Sequence, residues 1–307
     1  MTVALRGVIP PLVTPLTDEG ELDSASLERL VGHLADAGVD GLFVGGSSGE
    51  VALQTDDVRV RTLQVAVAAA GGLPVLAGAI DTGTARVVEH ARRAQDAGAA
   101  GVVVTPPFYV APHPDEIVAH YRAVAAAVDI PVIAYDIPSA THVPLPLPAL
   151  QALAEEGTIV ALKDSSGDLG RFRVAVERVA HTGIGLLTGS EVFADLALQA
   201  GATGMVPGLG NVDPDGYVRI QRAVEAGDHA AAAAEQLRLI ELFQIVDVAD
   251  RTRIGFTAGA LGAFKAALHL RGVIASPRTF APFLPLDDAE VARIRGLLVE
   301  AGLPVIR

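Results

Sequence analysis

The chain has 307 residues, of which half are hydrophobic, contains no cysteine and carries a formal net charge of -13. The charge disfavours nucleic acid as a partner because it repels the phosphate backbone, and the absence of cysteine excludes disulfides, thiolate zinc sites and a cysteine nucleophile. No apolar run approaches the roughly 18 residues that span a bilayer, so we expect no membrane association, no signal peptide and a cytoplasmic location.

Eight short apolar runs rich in Val, Ile and Leu alternate with segments of helical composition. Apolar residues at nearly every position are typical of parallel strands that are buried on both faces. The predicted strands are Gly7–Leu16, Gly41–Gly45, Pro74–Ile80, Gly101–Thr105, Pro131–Tyr135, Ile159–Lys163, Gly185–Thr188 and Gly204–Pro207.

Helices are predicted between these strands, and several end at an Ala-Gly pair that is typical of a helix C-terminus. They are Ser24–Ala37, Thr55–Ala70, Thr84–Ala97, Asp115–Val128, Leu147–Glu156, Leu169–Ala180 and Val192–Ala200. Eight strands that alternate with helices predict an α/β fold, a (β/α)8 TIM barrel over residues 1–212. A doubly wound open sheet is less favoured, because no segment signals a reversal of strand order.

The strand signals stop near Pro214, and the remaining chain has helical composition. Helices are predicted at Asp215–Val248, Thr252–Arg271 and Asp287–Ala301. We interpret residues 213–307 as a C-terminal helical extension packed on the barrel. In such a barrel the catalytic residues lie where the strands end and the following loops begin.

Lys163 ends the apolar run Ile159–Leu162 and is one of only two lysines, the other being Lys265. At the dry mouth of a barrel, desolvation favours the neutral, nucleophilic amine. Such an amine condenses with a ketone and forms an iminium (Schiff base), an electron sink that makes the adjacent carbon acidic. Position alone is equally compatible with a lysine that extends to solvent or pairs with Asp164.

Tyr135 ends the neighbouring predicted strand, where its hydroxyl could move protons near the Lys163 amine, although an aromatic residue there also fills the barrel. The small-residue turns Gly45–Glu50 and Gly208–Asn211 offer backbone N–H groups to a carboxylate or phosphate, or are simply tight turns. We predict that Gly46 in the first turn and Gly208 in the second contact the substrate.

The remaining polar residues near strand ends do not form a metal site in the sequence. His113, His142, Asp136 and Glu191 are scattered, and no His, Asp or Glu cluster has the spacing of metal ligands. We therefore expect neither a metal nor another cofactor.

Three motifs, in this order and at these intervals, resemble the dihydrodipicolinate synthase / N-acetylneuraminate lyase superfamily. They are Gly46-Ser47-Ser48-Gly49-Glu50, Tyr135-Asp136-Ile137-Pro138 and Leu162-Lys163-Asp164-Ser165-Ser166-Gly167-Asp168. The resemblance covers nearly the whole chain and implies a (β/α)8 barrel with C-terminal helices, usually a homotetramer. It also implies an enzyme that acts on a small-molecule 2-oxo acid, such as pyruvate, and an aldehyde.

The resemblance implies a role for each matching residue. Lys163 is the Schiff-base lysine, and Tyr135 is the proton shuttle near the iminium and the aldehyde oxygen. Ser48 holds the carboxylate of the 2-oxo acid through its hydroxyl and backbone N–H, and Ser47 lies in the hydroxyl relay. Tyr109 matches the position that crosses a subunit interface to complete the neighbour's relay.

Departures from the family pattern favour one subgroup. The synthases usually carry Tyr-Asn-Val-Pro-Ser-Arg-Thr-Gly after the fifth strand, and the arginine grips the carboxylate of the aldehyde; Ala140 stands in its place and cannot pair with an anion. Asp136 replaces the common asparagine and adds a negative charge unless it is protonated or paired. Phe108 replaces a tyrosine that is common in the synthases. The turn Pro207–Asn211 resembles the aldolases that act on 2-keto-3-deoxy sugar acids.

These features lead to four hypotheses about function. The first is a class I aldolase, a carbon–carbon lyase that reversibly cleaves a 2-keto-3-deoxy sugar acid to pyruvate and an aldehyde such as glyceraldehyde. The second is a 2-oxo acid dehydratase or hydratase that uses the same iminium. The third is a 4-hydroxy-tetrahydrodipicolinate synthase, and the fourth is a protein that binds a 2-oxo acid without turnover.

Overall fold

Eight parallel strands form the centre of the computed structural model, which describes residues 5–306. Residues 1–4 and residue 307 lie outside the described residues. The prediction that the chain has no signal peptide concerns the N-terminal segment, to which residues 1–4 belong. The strands are β1 (Gly7–Val8), β2 (Leu42–Val44), β3 (Val75–Gly78), β4 (Gly101–Val104), β5 (Val132–Asp136), β6 (Ala161–Asp164), β7 (Gly185–Thr188) and β8 (Gly204–Met205).

The strands follow one another in the order β1-β8-β7-β6-β5-β4-β3-β2. A parallel bridge between Pro11 and Phe43 joins the segment after β1 to β2, and the Leu12 N–H donates to the Phe43 carbonyl oxygen at 2.8 Å. This bridge closes the sheet, because β1 and β2 would otherwise be its two edges. The predicted (β/α)8 barrel is confirmed.

Twelve α-helices lie within residues 5–306, and the seven helices predicted between strands are all present. They are α1 (Ser24–Asp36), α2 (Asp56–Ala69), α3 (Thr84–Asp96), α4 (Pro114–Ala125), α5 (Pro138–Thr141), α6 (Leu147–Glu155), α7 (Leu169–Val179), α8 (Ala194–Gln199), α9 (Pro214–Glu225), α10 (His229–Phe243), α11 (Phe256–Leu270) and α12 (Asp288–Glu300). The short α5 was not predicted; it begins at Pro138, whose fixed φ suits the first turn of a helix.

Strand β1 is much shorter than the predicted Gly7–Leu16. Pro10, Pro11 and Pro15 have no backbone N–H, so they cannot donate to a neighbouring strand. The segment that follows β1 therefore contacts β2 at a single bridge instead of a continuous ladder.

The predicted helix Asp215–Val248 is wrong as one element, because it is divided into α9 and α10. Gly227 has φ +76°, a conformation that glycine adopts without a steric penalty and that ends a helix. The Asp228 side chain then accepts a hydrogen bond from the Ala231 N–H and caps the start of α10. The predicted helix Thr252–Arg271 likewise begins later, at Phe256.

Apolar side chains form two separate groups. One lies between the strands and the surrounding helices, and the smaller one fills the barrel interior and includes Phe43, Ile133, Tyr135, Leu187 and Val206. The barrel interior is therefore packed, and a ligand can reach the strands only at their ends.

The C-terminal helices pack on the barrel. Helix α9 contacts α8 and β1, and α11 contacts the turn that follows β8. The boundary between residues 1–212 and 213–307 stays a prediction. Within residues 5–306, no helix has the length and apolar character needed to cross a membrane.

Gly78 permits close contact between the ends of β2 and β3. A Cβ atom at Gly78 would lie 1.9 Å from the carbonyl oxygen of Gly45, which is far inside any van der Waals contact. The absence of a side chain at this position therefore sets the path of the loop that follows β2.

We expect Gly78→Ala to lower the free energy of unfolding by about 1–3 kcal/mol or more, because the added methyl must displace backbone. Gly296→Ala is the matched control, since only the backbone of α12 itself surrounds its would-be Cβ and no side chain or other element lies within 4 Å, and alanine favours a helix by up to about 1 kcal/mol. Unfolding in guanidinium chloride measures both. Equal stability of the two variants would show that the loop moves freely.

Candidate active site

The parallel register of β5 and β6 places Tyr135 beside Lys163. Lys163 is only 4% exposed, and its Nζ lies 3.6 Å from the centroid of the Tyr135 ring and 5.2 Å from that of Phe43. The lysine predicted from the sequence is thus buried at the strand ends, against two aromatic rings, and does not extend into solvent.

The loop after β2 brings Ser47 to the same place. Its Oγ lies 3.4 Å from the Tyr135 Oη, and either oxygen can donate the hydrogen bond. Gly46 lets this loop lie on the Phe43 ring, because a Cβ there would be 2.6 Å from the Phe43 Cε1. The amine, the phenol and a serine hydroxyl therefore form a continuous group.

Ser48 and Gly208 lie close together although they belong to loops after different strands. A Cβ on Gly208 would be 3.3 Å from the Ser48 Oγ and 3.0 Å from the Glu191 Oε1. The Gly208 N–H already has a partner, because it donates a hydrogen bond to the Glu191 Oε1 at 2.9 Å. A substrate carboxylate that used this N–H would have to displace the Glu191 side chain.

Glu191 belongs to this group, although the sequence marked it only as a scattered polar residue. Burial raises the pKa of its carboxyl, whereas the hydrogen bond from Gly208 and the charge of Lys163 lower it. Its position beside Lys163 depends on the juxtaposition of the loops after β7 and β8, for which the sequence carries no local signal.

Tyr109 does not join the group within this chain. Its side chain is 94% exposed, and its φ of +73° is rare for a residue with a Cβ. The ring is therefore presented to solvent and does not contact the buried Lys163 of the same chain. The predicted role in a neighbouring subunit stays a prediction.

Asp136 does not leave an uncompensated charge at the barrel mouth. Its Oδ2 accepts from the Arg171 Nη2 at 2.9 Å, and its Oδ1 accepts from the Leu145 N–H at 3.0 Å. Arg171 also donates to the Leu145 carbonyl oxygen. The pair thus holds the segment after β5 in place, and the Asp136 carboxyl has a partner of opposite charge, Arg171.

Among residues 5–306, no group of three or more His, Cys, Asp or Glu side chains could hold a metal ion.

A sequence model of the dihydrodipicolinate synthetase family matches residues 4–301. The chain belongs to this family. The family predicted from the three motifs is therefore confirmed.

Relatives in the dihydrodipicolinate synthetase family span nearly the whole chain. An uncharacterized DapA-like lyase of Halobacterium salinarum is 38% identical over 98% of this chain and 95% of the relative. A 4-hydroxy-tetrahydrodipicolinate synthase of Kineococcus radiotolerans is 35% identical over 96% of this chain and 93% of the relative.

Solved structures of the family superimpose closely on this chain. YagE, a prophage protein of E. coli K12 in complex with pyruvate, has a TM-score of 0.90 at 29% identity and covers 98% of this chain and 99% of its own. The dihydrodipicolinate synthase of Bacteroides thetaiotaomicron has a TM-score of 0.91 at 31% identity and covers 98% of this chain and all of its own.

The second lysine of this family member forms a buried ion pair that sequence reasoning missed. Lys265 on α11 donates to the Glu50 Oε2 at 3.1 Å and to the Arg278 carbonyl oxygen at 2.9 Å, and both side chains of the pair are fully buried. Burial raises the pKa of Glu50 and lowers that of Lys265. The two partners are 215 residues apart, so no local pattern reveals them.

Glu50 also has a strained backbone, with φ +62°. It directly follows Gly49 in the motif that carries Ser47 and Ser48, and its Oε2 also accepts from the Phe280 N–H at 3.1 Å. The ion pair therefore fixes the loop that bears the candidate hydroxyl groups.

We expect Lys265→Met to lower the free energy of unfolding by about 3–5 kcal/mol, because it leaves the Glu50 carboxylate buried without a counter-charge. The double variant Glu50→Gln, Lys265→Met should recover part of this loss. Denaturant unfolding of both single variants and the double variant gives the coupling energy.

The control for this comparison of single and double variants is Arg122→Met, which breaks the exposed Arg122–Glu156 ion pair. Exposed pairs contribute little to stability, so this variant should unfold at nearly the same denaturant concentration as the parent chain. A Lys265→Met variant as stable as the control would show that the buried pair does not hold the loop.

Proposed function

We propose that this chain is a class I aldolase, in which Lys163 forms a Schiff base with a 2-oxo acid such as pyruvate and an aldehyde is the second substrate. One observation carries the proposal: a buried amine lies 3.6 Å from the Tyr135 ring, and the hydroxyl of that ring lies 3.4 Å from the Ser47 hydroxyl. A nucleophile and a proton-transfer path therefore meet at the carboxyl ends of the strands.

In the cleavage direction, the Lys163 amine adds to the C2 carbonyl of the substrate and water leaves, which forms the iminium. Tyr135 takes the proton of the C4 hydroxyl and passes its own proton towards Ser47. The C3–C4 bond breaks, its electron pair moves into the iminium to form an enamine, and the aldehyde leaves. The enamine takes a proton at C3, and water hydrolyses the resulting iminium to release pyruvate and the amine.

The carboxylate of the 2-oxo acid is assigned to the loop after β2. Ser48 offers a hydroxyl and a backbone N–H there, and Gly46 keeps the loop close to the barrel. Gly208 lies opposite Ser48 and completes this proposed carboxylate site once the Glu191 carboxylate releases its N–H. Pyruvate bound to the structurally similar YagE supports a 2-oxo acid as the first substrate.

The proposed aldehyde is uncharged, since Ala140 provides no cation at the mouth. Cleavage of a 2-keto-3-deoxy sugar acid to pyruvate and glyceraldehyde is the specific reaction that the sequence predicts. The exposed Tyr109 supports a homotetramer in which this ring completes a neighbouring site, and a cytoplasmic location accords with such metabolism. A dehydratase or hydratase would use the same iminium and break a C–O bond instead.

A second candidate is the 4-hydroxy-tetrahydrodipicolinate synthase reaction, which is favoured by the names of several relatives, including that of Kineococcus radiotolerans. Ala140 argues against it, because the carboxylate of aspartate semialdehyde would lack a charged partner.

We expect incubation with pyruvate and borohydride to give a reduced adduct on Lys163, because reduction traps the iminium. Peptide mass spectrometry locates the adduct, and Lys265 is an internal control, since it is the only other lysine and is fully buried. Lys163→Arg should abolish the adduct. A folded protein that gives no Lys163 adduct with any of several 2-oxo acids would refute the Schiff-base mechanism.

We expect Tyr135→Phe to lower kcat for aldol cleavage by about 10²–10⁴, the usual contribution of a positioned proton-transfer group, while the Lys163 adduct still forms. A panel of 2-keto-3-deoxy pentonates and hexonates serves as substrate, and a coupled assay with aspartate semialdehyde tests the synthase. Dehydrated product without aldehyde would identify a dehydratase, and turnover of aspartate semialdehyde at a similar kcat/KM would favour the synthase.

A further inference from the structure

A cavity of about 200 Å³ opens beside the Ser47 hydroxyl. It lies between the loop after β2, the ends of β3, β4 and β5, and helix α11. Most of its lining is apolar and includes Val51, Leu53, Ile80, Phe108, Ile137 and Leu261. The cavity thus adjoins the group formed by Lys163, Tyr135 and Ser47.

The cavity lies where the substituent of an aldehyde would extend. An aldehyde oxygen that receives a proton from Tyr135 must lie near the Tyr135 Oη, which is 3.4 Å from the Ser47 Oγ on the cavity wall. The small side chain of Ala140 lines the same cavity and leaves its mouth open.

The charges around the cavity disfavour an anionic substituent. Among the described residues that line it, none is Arg, Lys or His, and the one charged side chain is Glu50, whose Oε2 is paired with Lys265. A carboxylate or phosphate would therefore lose its hydration beside a second carboxylate and gain no counter-charge.

Few polar atoms are available to a hydroxylated substituent. Glu50 Oε1 and Thr105 Oγ1 are buried and have no hydrogen-bond partner among the described residues, while the Thr141 hydroxyl already bonds to the Ile137 and Val143 carbonyl groups. The Ser47 and Thr257 hydroxyls also line the cavity, so partners exist for the two hydroxyls of glyceraldehyde. A longer chain with more hydroxyls would outnumber them, and burying an unpaired hydroxyl is unfavourable, whereas an apolar substituent matches most of the lining.

We propose that this cavity binds an apolar substituent of the aldehyde substrate, an aryl ring or a branched alkyl chain. A dry apolar cavity of about 150 Å³ accommodates benzene, so a cavity of about 200 Å³ accommodates a phenyl ring. The inference rests on the proposed function and replaces glyceraldehyde with an apolar aldehyde as the preferred acceptor.

The bond changes are those of the aldol addition. Carbon C3 of the enamine on Lys163 forms a bond to the aldehyde carbon, and the aldehyde oxygen takes a proton from Tyr135. Water then hydrolyses the iminium and releases a 4-hydroxy-2-oxo acid whose apolar group has been bound in the cavity.

The experiment compares kcat/KM for addition of pyruvate to benzaldehyde, glyceraldehyde and succinic semialdehyde, which represent apolar, hydroxylated and anionic acceptors. Benzaldehyde should exceed glyceraldehyde by at least tenfold, and succinic semialdehyde should be the poorest. Ala140→Leu narrows the cavity mouth and should lower the ratio of benzaldehyde to glyceraldehyde by at least tenfold. Ala234→Leu, at an exposed position on α10, is the matched control and should leave that ratio unchanged.

A second variant, Ala140→Arg, introduces a cation at the exposed mouth and should shift the preference from benzaldehyde towards succinic semialdehyde. Borohydride trapping of pyruvate on Lys163 is run on the same preparations. Glyceraldehyde as good as or better than benzaldehyde, with the Lys163 adduct present, would overturn the inference and leave the proposed function intact.

Two other results would also overturn it. Absence of the Lys163 adduct with every 2-oxo acid would remove the proposed function and this inference together. Turnover of benzaldehyde only after Tyr109→Ala would show that Tyr109 of a second copy fills the cavity in the natural assembly.

Discussion

The parallel register between β5 and β6 is the constraint on which the candidate active site depends. Because paired residues of parallel strands lie at the same height and their side chains alternate between two faces, Tyr135 and Lys163 must project together at the barrel mouth. A shift of one residue in either strand would turn one of them towards the helices. The cross-strand pair is therefore a property of the backbone, and the loops add to it.

Those loops add hydroxyl and carboxylate groups to the site, and basic side chains neutralise two of the carboxylates. Two carboxylates of the loops and strand ends, Asp136 and Glu50, are each bound by a cation from a more distant element, Arg171 and Lys265. Each pair also bonds to backbone groups, so the pairs position loops as well as neutralise charge. Glu191 differs, because its carboxyl bonds to a backbone N–H and experiences the charge of Lys163.

The barrel, seven interstrand helices and the pair Lys163 and Tyr135 could be predicted from the sequence, because strand ends and helix ends carry local signals. Two features that we did not predict also have local signals. The three prolines that follow β1 indicate a short strand, and the Gly227-Asp228 pair indicates the end of one helix and the start of the next. The Glu50–Lys265 pair could not be predicted, since 215 residues separate its members. Neither the position of Glu191 nor the apolar cavity could be read from the sequence, since both depend on how several loops meet.

The buried Glu50–Lys265 pair limits which segments of this barrel can be exchanged with those of a related sequence. Glu50 at the end of the motif with Ser47 and Ser48 forms an ion pair with Lys265 on α11. Replacing only the loop or only the helix with that of a divergent relative can therefore leave one of the two charges without its partner. A chimera that took the loop from one parent and the helix from another would enclose a lone charge whenever the parents differ at either position. We therefore expect chimeras to fold when the loop after β2 and helix α11 come from the same parent, because the buried charges then stay paired.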